Sequence, residues 1–253
     1  MRTTFVAEMK HTMKKNQQIL IIPDVHGRPF WRYAEEHVGE YDKVIFLGDY
    51  VDPYAEEGID PQTALYGLID ILDFYAAHPD KVVLLLGNHD MHYLSPHYLD
   101  LCACDRYDKE HAHMLHTLFT QGEPFLLAHE ETLGSRRYLF THAGVNTPWL
   151  RFNRDQIGQP DADHLNRLLL TDEGIETLAQ AGMIRGGGYL TGSIVWADSD
   201  EIALSRPLPN VYQVFGHTQQ FDGSPIITSH YACLDCRSCF SLDSTGTFTQ
   251  LQK

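Results

Sequence analysis

Six residues spread over the chain have the side chains that a divalent cation prefers: Asp24, His26, Asp49, Asn88, His142 and His217. All offer oxygen or nitrogen donors, and each stands just past a short apolar run that reads as a buried strand. The first run, Ile19-Leu20-Ile21-Ile22, stops at Pro23 and delivers Asp24-Val25-His26-Gly27. Alone, that tetrad is a weak signal, because short polar runs after strands are common. Repetition gives it weight. Residues 43–47 lead into Gly48-Asp49, 81–86 into Gly87-Asn88-His89-Asp90, 137–140 into Thr141-His142-Ala143-Gly144, and 211–215 into Gly216-His217-Thr218. Ligands of α/β folds gather where strands end. The set suits two divalent cations with Asp49 between them: Asp24 and His26 complete the protein shell of one, and Asn88, His142 and His217 that of the other. Two cations about 3.5–4 Å apart lower the pKa of a shared water, orient it, and neutralise charge as a phosphoester is displaced in line.

The elements that must position these residues follow from periodicity. Residues 28–38 have helical spacing of apolar side chains and end at Gly39, so 19–47 reads as a strand-helix-strand unit. A longer helix is expected over 60–77, capped by Asp60 with Pro61 in its first turn. Residues 91–123 interrupt the rhythm, with a helix expected over 108–119, and are read as a cap over the site. Residues 124–128 and 137–140 are expected to pair antiparallel across a turn at Gly134, with helices following near 163–170 and 172–181. Gly186-Gly187-Gly188 lacks the spacing of a dinucleotide fingerprint and marks a hinge or a close backbone approach. Segments at 226–228, 232–234, 240–242 and 247–251 alternate with turn residues like a β-meander.

At 253 residues the chain suits one large α/β domain spanning 1–253, with 1–17 as a flexible lead-in. No apolar run is long enough to span a membrane, and the N-terminal residues lack the apolar core of a secretory signal. Nineteen basic against thirty-four acidic residues give a net charge of −15, which opposes docking on a nucleic acid. Five cysteines, an odd number without a signal, place the protein in a reducing compartment, the cytoplasm by default. Fifteen histidines are too many for a histidine alone to carry meaning. Cys233, Cys236 and Cys239 have a C-x2-C-x2-C spacing, but they fall in a segment read as strand and are expected to be ordinary thiols. Tyr50, Tyr54, Tyr93 and Tyr98 either wall the cleft or pack in the core.

The five motifs, in this order over residues 19 to about 218, resemble those of the calcineurin-like metallophosphoesterases, within them the phosphoprotein phosphatase branch that also includes bacterial diadenosine tetraphosphatases. The resemblance implies metal ligation by the six residues above, His89 as proton donor to the leaving alkoxide, and Asp52 as the carboxylate that orients and charges His89. A histidine beside a carboxylate holds a proton near neutral pH, as a hydroxyl leaving group requires. Trp196-Ala197-Asp198 is similar to the family's Trp-Ser-Asp segment, and Leu234-Asp235 with Phe240-Ser241-Leu242-Asp243 to its C-terminal strand pair. One departure stands out. The family places an arginine directly after the second motif's last aspartate to grip phosphate, whereas here Asp52 is followed by Pro53-Tyr54. Arg28, Arg154, Arg185 and Arg237 are the candidate replacements, Arg185 first because glycines beside it let a substrate approach, then Arg237.

The expected fold is therefore a four-layer α/β/β/α sandwich, two mixed sheets flanked by helices. The expected function is metal-dependent hydrolysis of a phosphomonoester, as in a protein phosphatase, by a hydroxide bridging two metals. Manganese is the first choice of metal, and iron, zinc or magnesium would also be accepted by the same donors. The substrate is a phosphorylated protein or small molecule. The alternatives are a dinucleoside polyphosphate hydrolase and, in another class, a weakly active metal-binding regulatory protein.

Overall fold

The computed structural model describes residues 17–102, 104–122 and 124–251, so the expected lead-in lies outside the described residues except for its last position. Eleven strands form two sheets: β1 Gln18–Ile22, β2 Lys43–Phe46, β3 Val82–Leu85, β4 Phe125–Leu126, β5 Ala128–Leu133, β6 Arg136–Thr141, β7 Tyr212–Phe215, β8 Ile226–Ile227, β9 Tyr231–Cys233, β10 Phe240–Asp243 and β11 Phe248–Gln250. The first sheet has the order β11-β10-β1-β2-β3-β4 and the second β5-β6-β7-β9-β8. Both are mixed. β1, β2, β3 and β4 run parallel, while β10 joins β1 antiparallel. In the second sheet β6, β7 and β9 are parallel, edged by antiparallel β5 and β8.

The apolar runs read as buried on both faces because the sheets are covered on both faces. Ile19, Ile21, Ile45, Leu47, Val83 and Leu85 point inward and meet Tyr138, Phe140, Tyr212, Val214 and Leu234 of the second sheet. The alternate residues Leu20, Ile22, Val44, Phe46 and Leu84 point outward onto Trp31, Leu65, Leu68, Ile71 and Phe74. The last four of these lie on one helix, Pro61–Ala77. Leu139 of the second sheet joins the same cluster as Trp149, Leu165 and Leu178 from the short helices Thr147–Phe152, Ala162–Asn166 and Asp172–Leu178. Two mixed sheets flanked by helices is the architecture expected from the sequence.

The connections carry the remaining logic. The expected helix over 28–38 is a 3-10 turn, Pro29–Arg32, followed by α1, Tyr33–His37, and a second 3-10 turn that contains Gly39 instead of ending before it. α2, Pro61–Ala77, begins as expected: the Asp60 carboxylate accepts from the Thr63 amide at 2.7 Å, a cap worth about 1 kcal/mol. α3 (Asn88–Leu94), α4 (Pro96–Leu101) and α5 (Ala112–Thr120) then fill the interruption after β3.

Two sequence expectations are corrected. Residues 124–128 do not form one strand facing 137–140: Phe125–Leu126 pairs parallel with β3, and the chain changes sheets at Leu127 before β5 opposes β6. Asn166 holds that break, its side-chain oxygen accepting from the amides of Leu127 (2.8 Å) and Ala128 (2.9 Å). Nor is the C-terminal segment one meander. It is two hairpins in different sheets, β8-β9 against β7 and β10-β11 against β1. Of the three C-terminal cysteines only Cys233 lies in a strand; Cys236 and Cys239 are buried in the turn that follows.

Candidate metal centre

Five strand ends converge. Asp24 and His26 follow β1, Asp49 follows β2, Asn88 opens α3 after β3, His142 follows β6, and His217 follows β7. Both sheets thus contribute, and the six residues stand where their edges meet. The backbone bends sharply to turn these side chains together. His26, Asp49, Asp52 and His217 all hold positive φ, at 45°, 54°, 57° and 61°. Such angles are uncommon for non-glycine residues, with Asp and His among the more tolerant. Neighbouring strand ends also press close. A Cβ at Gly87 would sit 2.1 Å from Oδ1 of Asp49, and one at Gly216 would sit 2.1 Å from Oδ1 of Asp24, so each motif's glycine clears room for another motif's carboxylate.

Asp49 is the hub. Its Oδ2 lies 3.4 Å from Nε2 of His26 and 3.5 Å from Nε2 of His142, and its Oδ1 accepts from the His89 amide at 2.9 Å. His142 Nε2 is 3.1 Å from Oδ1 of Asn88 and 3.0 Å from Nδ1 of His217. The Asp24 carboxylate accepts from the His217 amide, 2.9 Å to Oδ1 and 3.1 Å to Oδ2. Two imidazoles are aimed by backbone carbonyls: Nδ1 of His26 to Val51 (2.8 Å) and Nδ1 of His142 to Leu47 (2.8 Å). Donating from Nδ1 leaves each Nε2 lone pair facing the centre, the usual arrangement behind metal-binding histidines.

These residues fit a cation. Ligand atoms of Asp24, Asp49, His142 and His217 all lie within 4.8 Å of one another. With Nδ1 of His142 donating to the Leu47 carbonyl, its Nε2 lone pair meets the side-chain oxygen of Asn88 at 3.1 Å, two acceptors that a cation would reconcile. Burial drives the pKa values of His26 and His217 well below the ordinary histidine value, so both present lone pairs. Burial raises Asp24. It opposes ionisation of Asp49 as well, but the surrounding imidazoles, led by His142 and His89, overcome it and hold that carboxylate ionised.

A second cluster adjoins the first. Nδ1 of His89 is 2.8 Å from Oδ2 of Asp52, whose Oδ1 accepts from the Tyr93 hydroxyl. Burial alone would keep His89 neutral; the carboxylates of Asp49 and Asp52 win and raise it to about 10. Arg106 acts the other way. Its Nη2 lies 2.8 Å from Nε2 of His89, and a guanidinium can donate there only while that nitrogen keeps its lone pair. The ring's proton then sits on Nδ1, facing Asp52.

The cleft above these groups encloses about 340 Å³ and is lined by Asp24, His26, Asp49, Asn88, His89 and His217 below and by Tyr54, Cys104, Asp105, Arg106, Arg185 and Trp196 around. Cys104, Asp105 and Arg106 belong to the segment expected as a cap. Of the four arginines considered from sequence, only Arg185 lines this cleft. Its Nε pairs with Oδ2 of Asp198 at 3.0 Å, and its Nη2 donates to Oγ1 of Thr218 at 2.9 Å. Arg28 and Arg237 both pair with Glu57, at 2.6 and 3.0 Å, and Arg154 is exposed beside Asp155. Of the four tyrosines only Tyr54 walls the cleft. Tyr50, Tyr93 and Tyr98 are buried.

Two residues escaped sequence reasoning. Asp90 is fully buried and accepts from the amides of Asp49 (2.7 Å), Tyr50 (3.0 Å) and Gly87 (2.8 Å), tying the second motif to the third. It stands within the Gly87-Asn88-His89-Asp90 motif, but nothing local reveals its partners. Asp90→Ala would strand three buried N–H groups, and a loss of about 3 kcal/mol or more in denaturant unfolding is expected. Arg106 is the other, and its one sequence signal was the absence of an arginine after Asp52.

A family model described as calcineurin-like phosphoesterase matches residues 18–221. No curated protein sequence matches at a significant level. Among solved structures, the cold-active protein-tyrosine phosphatase of a psychrophile Shewanella species is similar at TM-score 0.56 and 15% identity, over 94% of this chain and 81% of that one. A protein serine/threonine phosphatase from Saccharomyces cerevisiae gives 0.47 and 14%, over 96% and 82%. A phosphoesterase from E. coli gives 0.40 and 14%, over 93% and 98%.

Proposed function

The chain belongs to the calcineurin-like phosphoesterase family of metal-dependent phosphoester hydrolases, and on that premise we propose that it hydrolyses phosphomonoesters at a centre of two divalent cations. Asp24, His26, Asp49, Asn88, His142 and His217 would hold them, with Asp49 between the two and manganese the first choice. The observation that carries this reading is the convergence of His26 and His142 on one Asp49 oxygen, with Nδ1 of His217 and the side-chain oxygen of Asn88 both within 3.1 Å of His142 Nε2. Two cations there would supply an activated water and neutralise phosphoryl charge.

The chain's own residues do the rest. Asp52 accepts from Nδ1 of His89, which fixes the ring so that Nε2 faces the cleft and can pass a proton to the departing oxygen. Arg185, steadied by Asp198 and Thr218, stands over His217 to meet a phosphoryl oxygen. A cleft of about 340 Å³ matches a phosphoryl group and the near part of its leaving group better than a dinucleoside polyphosphate. An odd number of cysteines, five, is in keeping with the cytoplasm.

Substrate choice is open to a direct comparison. With manganese present, phosphate release from an aryl phosphate and a phosphopeptide is expected, without nucleotide products from diadenosine tetraphosphate. Faster cleavage of the dinucleotide would replace the phosphomonoester assignment with polyphosphate hydrolysis. A metal-loaded protein that turns over no phosphoester would point instead to a regulatory role.

A further inference from the structure

We propose that Arg106 is a substrate-binding residue of this cleft, gripping a phosphoryl oxygen alongside Arg185. The proposal rests on the phosphoesterase reading above but makes its own claim, since nothing in the motifs includes Arg106.

Three observations carry it. The first is placement: Arg106 lines the cleft together with Asp24, Asp49, His89 and His217, so its guanidinium shares a wall with the candidate cation ligands. The second is how it is held. Its guanidinium carbon lies 3.8 Å from the ring centroid of Tyr54, a close cation-π contact that fixes the plane of the group. Nη1 donates to the backbone carbonyl of Asp52, and Nη2 meets Nε2 of His89. Both of those partners stand at the candidate reaction centre.

The third observation is charge. Every other arginine discussed here sits on a carboxylate: Arg28 and Arg237 on Glu57, Arg185 on Asp198. Among the described residues, Arg106 makes one ion pair, Nε to Oδ1 of Asp105 at 4.0 Å, and that carboxylate is 93% exposed whereas the Arg106 side chain is only 21% exposed. A largely buried cation whose one ion-pair partner is distant and solvated is weakly held by charge. An anion bound in the cleft supplies what the fold omits. A guanidinium offers five donors in a planar fork that matches phosphate, and here two of them reach no further than a carbonyl and an imidazole, contacts that a dianion outcompetes. Tyr54 can hold the plane while those two contacts are exchanged for phosphoryl oxygens. The same aromatic lies two positions after Asp52, so the loop that lacks an arginine of its own provides the seat for one from the segment after α4.

The test is titration of inorganic phosphate into the full-length, manganese-loaded protein, by calorimetry and as a competitive inhibitor of aryl phosphate hydrolysis. In Arg106→Ala the phosphate Kd and the KM should rise roughly tenfold to a hundredfold, the loss expected for charge-assisted hydrogen bonds, with bound manganese unchanged. Arg106→Gln keeps the bulk of the side chain and guards against a folding defect; the same weakening is expected. Arg106→Lys should recover part of the affinity, and added guanidinium ion should partly restore Arg106→Ala, neither of which follows from a structural role. A phosphate Kd within about twofold of wild type in folded Arg106→Gln overturns the proposal. Absence of turnover in the wild-type protein would sink the hydrolase reading instead, while the calorimetric titration would still decide the role of Arg106.

Discussion

Asp49→Asn is expected to lower kcat/KM by about a thousandfold or more, equivalent to ~4 kcal/mol of transition-state stabilisation, and to remove one bound metal equivalent. The size follows from position. Among the described residues, Asp49 is the only carboxylate paired with both His26 and His142, and its other oxygen anchors the His89 amide. An amide at this site keeps the shape and one acceptor oxygen, but it loses the charge that can sit between two cations. Melting should fall, because the imidazoles that hold Asp49 ionised lose the charge they face. Metal analysis with steady-state kinetics on an aryl phosphate checks both halves. Unchanged turnover would sink the metal assignment.

His89→Asn has a different signature. Metal content should be unchanged, since Nδ1 of His89 faces Asp52 and its Nε2 faces Arg106. A fall in kcat of about 10²–10⁴-fold is expected on alkyl phosphates, whose leaving groups need a proton, and a smaller fall on aryl phosphates, whose leaving groups need it less. The sign of the pH dependence is fixed by the same geometry. An acid works while protonated, so activity is lost as pH rises through the His89 pKa. The neighbouring carboxylates hold that value up, at about 10 without cations, and positive charge bound at Asp49 would bring it down. Wild type should therefore show an alkaline limb at or below that pH, and His89→Asn should flatten it. Equal losses on alkyl and aryl esters would assign His89 to support of the metal shell instead.

The convergence of these residues was legible in the sequence because each candidate ligand follows an apolar run that ends at the cleft. Asp24, Asp49 and His142 needed only strand periodicity and a following glycine or turn to be placed. What was not legible depends on contacts between distant segments. Arg106 lies in an irregular stretch without periodicity, 54 residues beyond Asp52 by its number, and only folding lays it on Tyr54. Asp90 was read as part of a motif, yet its work is to bind amides of a different motif. The C-terminal hairpins show the same limit in the fold. β9 and β10 are both short strands, and nothing local says that one adds to β7 and the other to β1. The break at Leu127 likewise depends on Asn166, about forty residues downstream.

The central claim is a pair of cations joined by Asp49. The most direct measurement is anomalous diffraction from crystals of the manganese-loaded protein. Two peaks roughly 3.5–4 Å apart on either side of the Asp49 carboxylate are predicted, one near Asp24 and His26 and the other near Asn88, His142 and His217. A single peak at full loading, or two peaks away from Asp49, would contradict it.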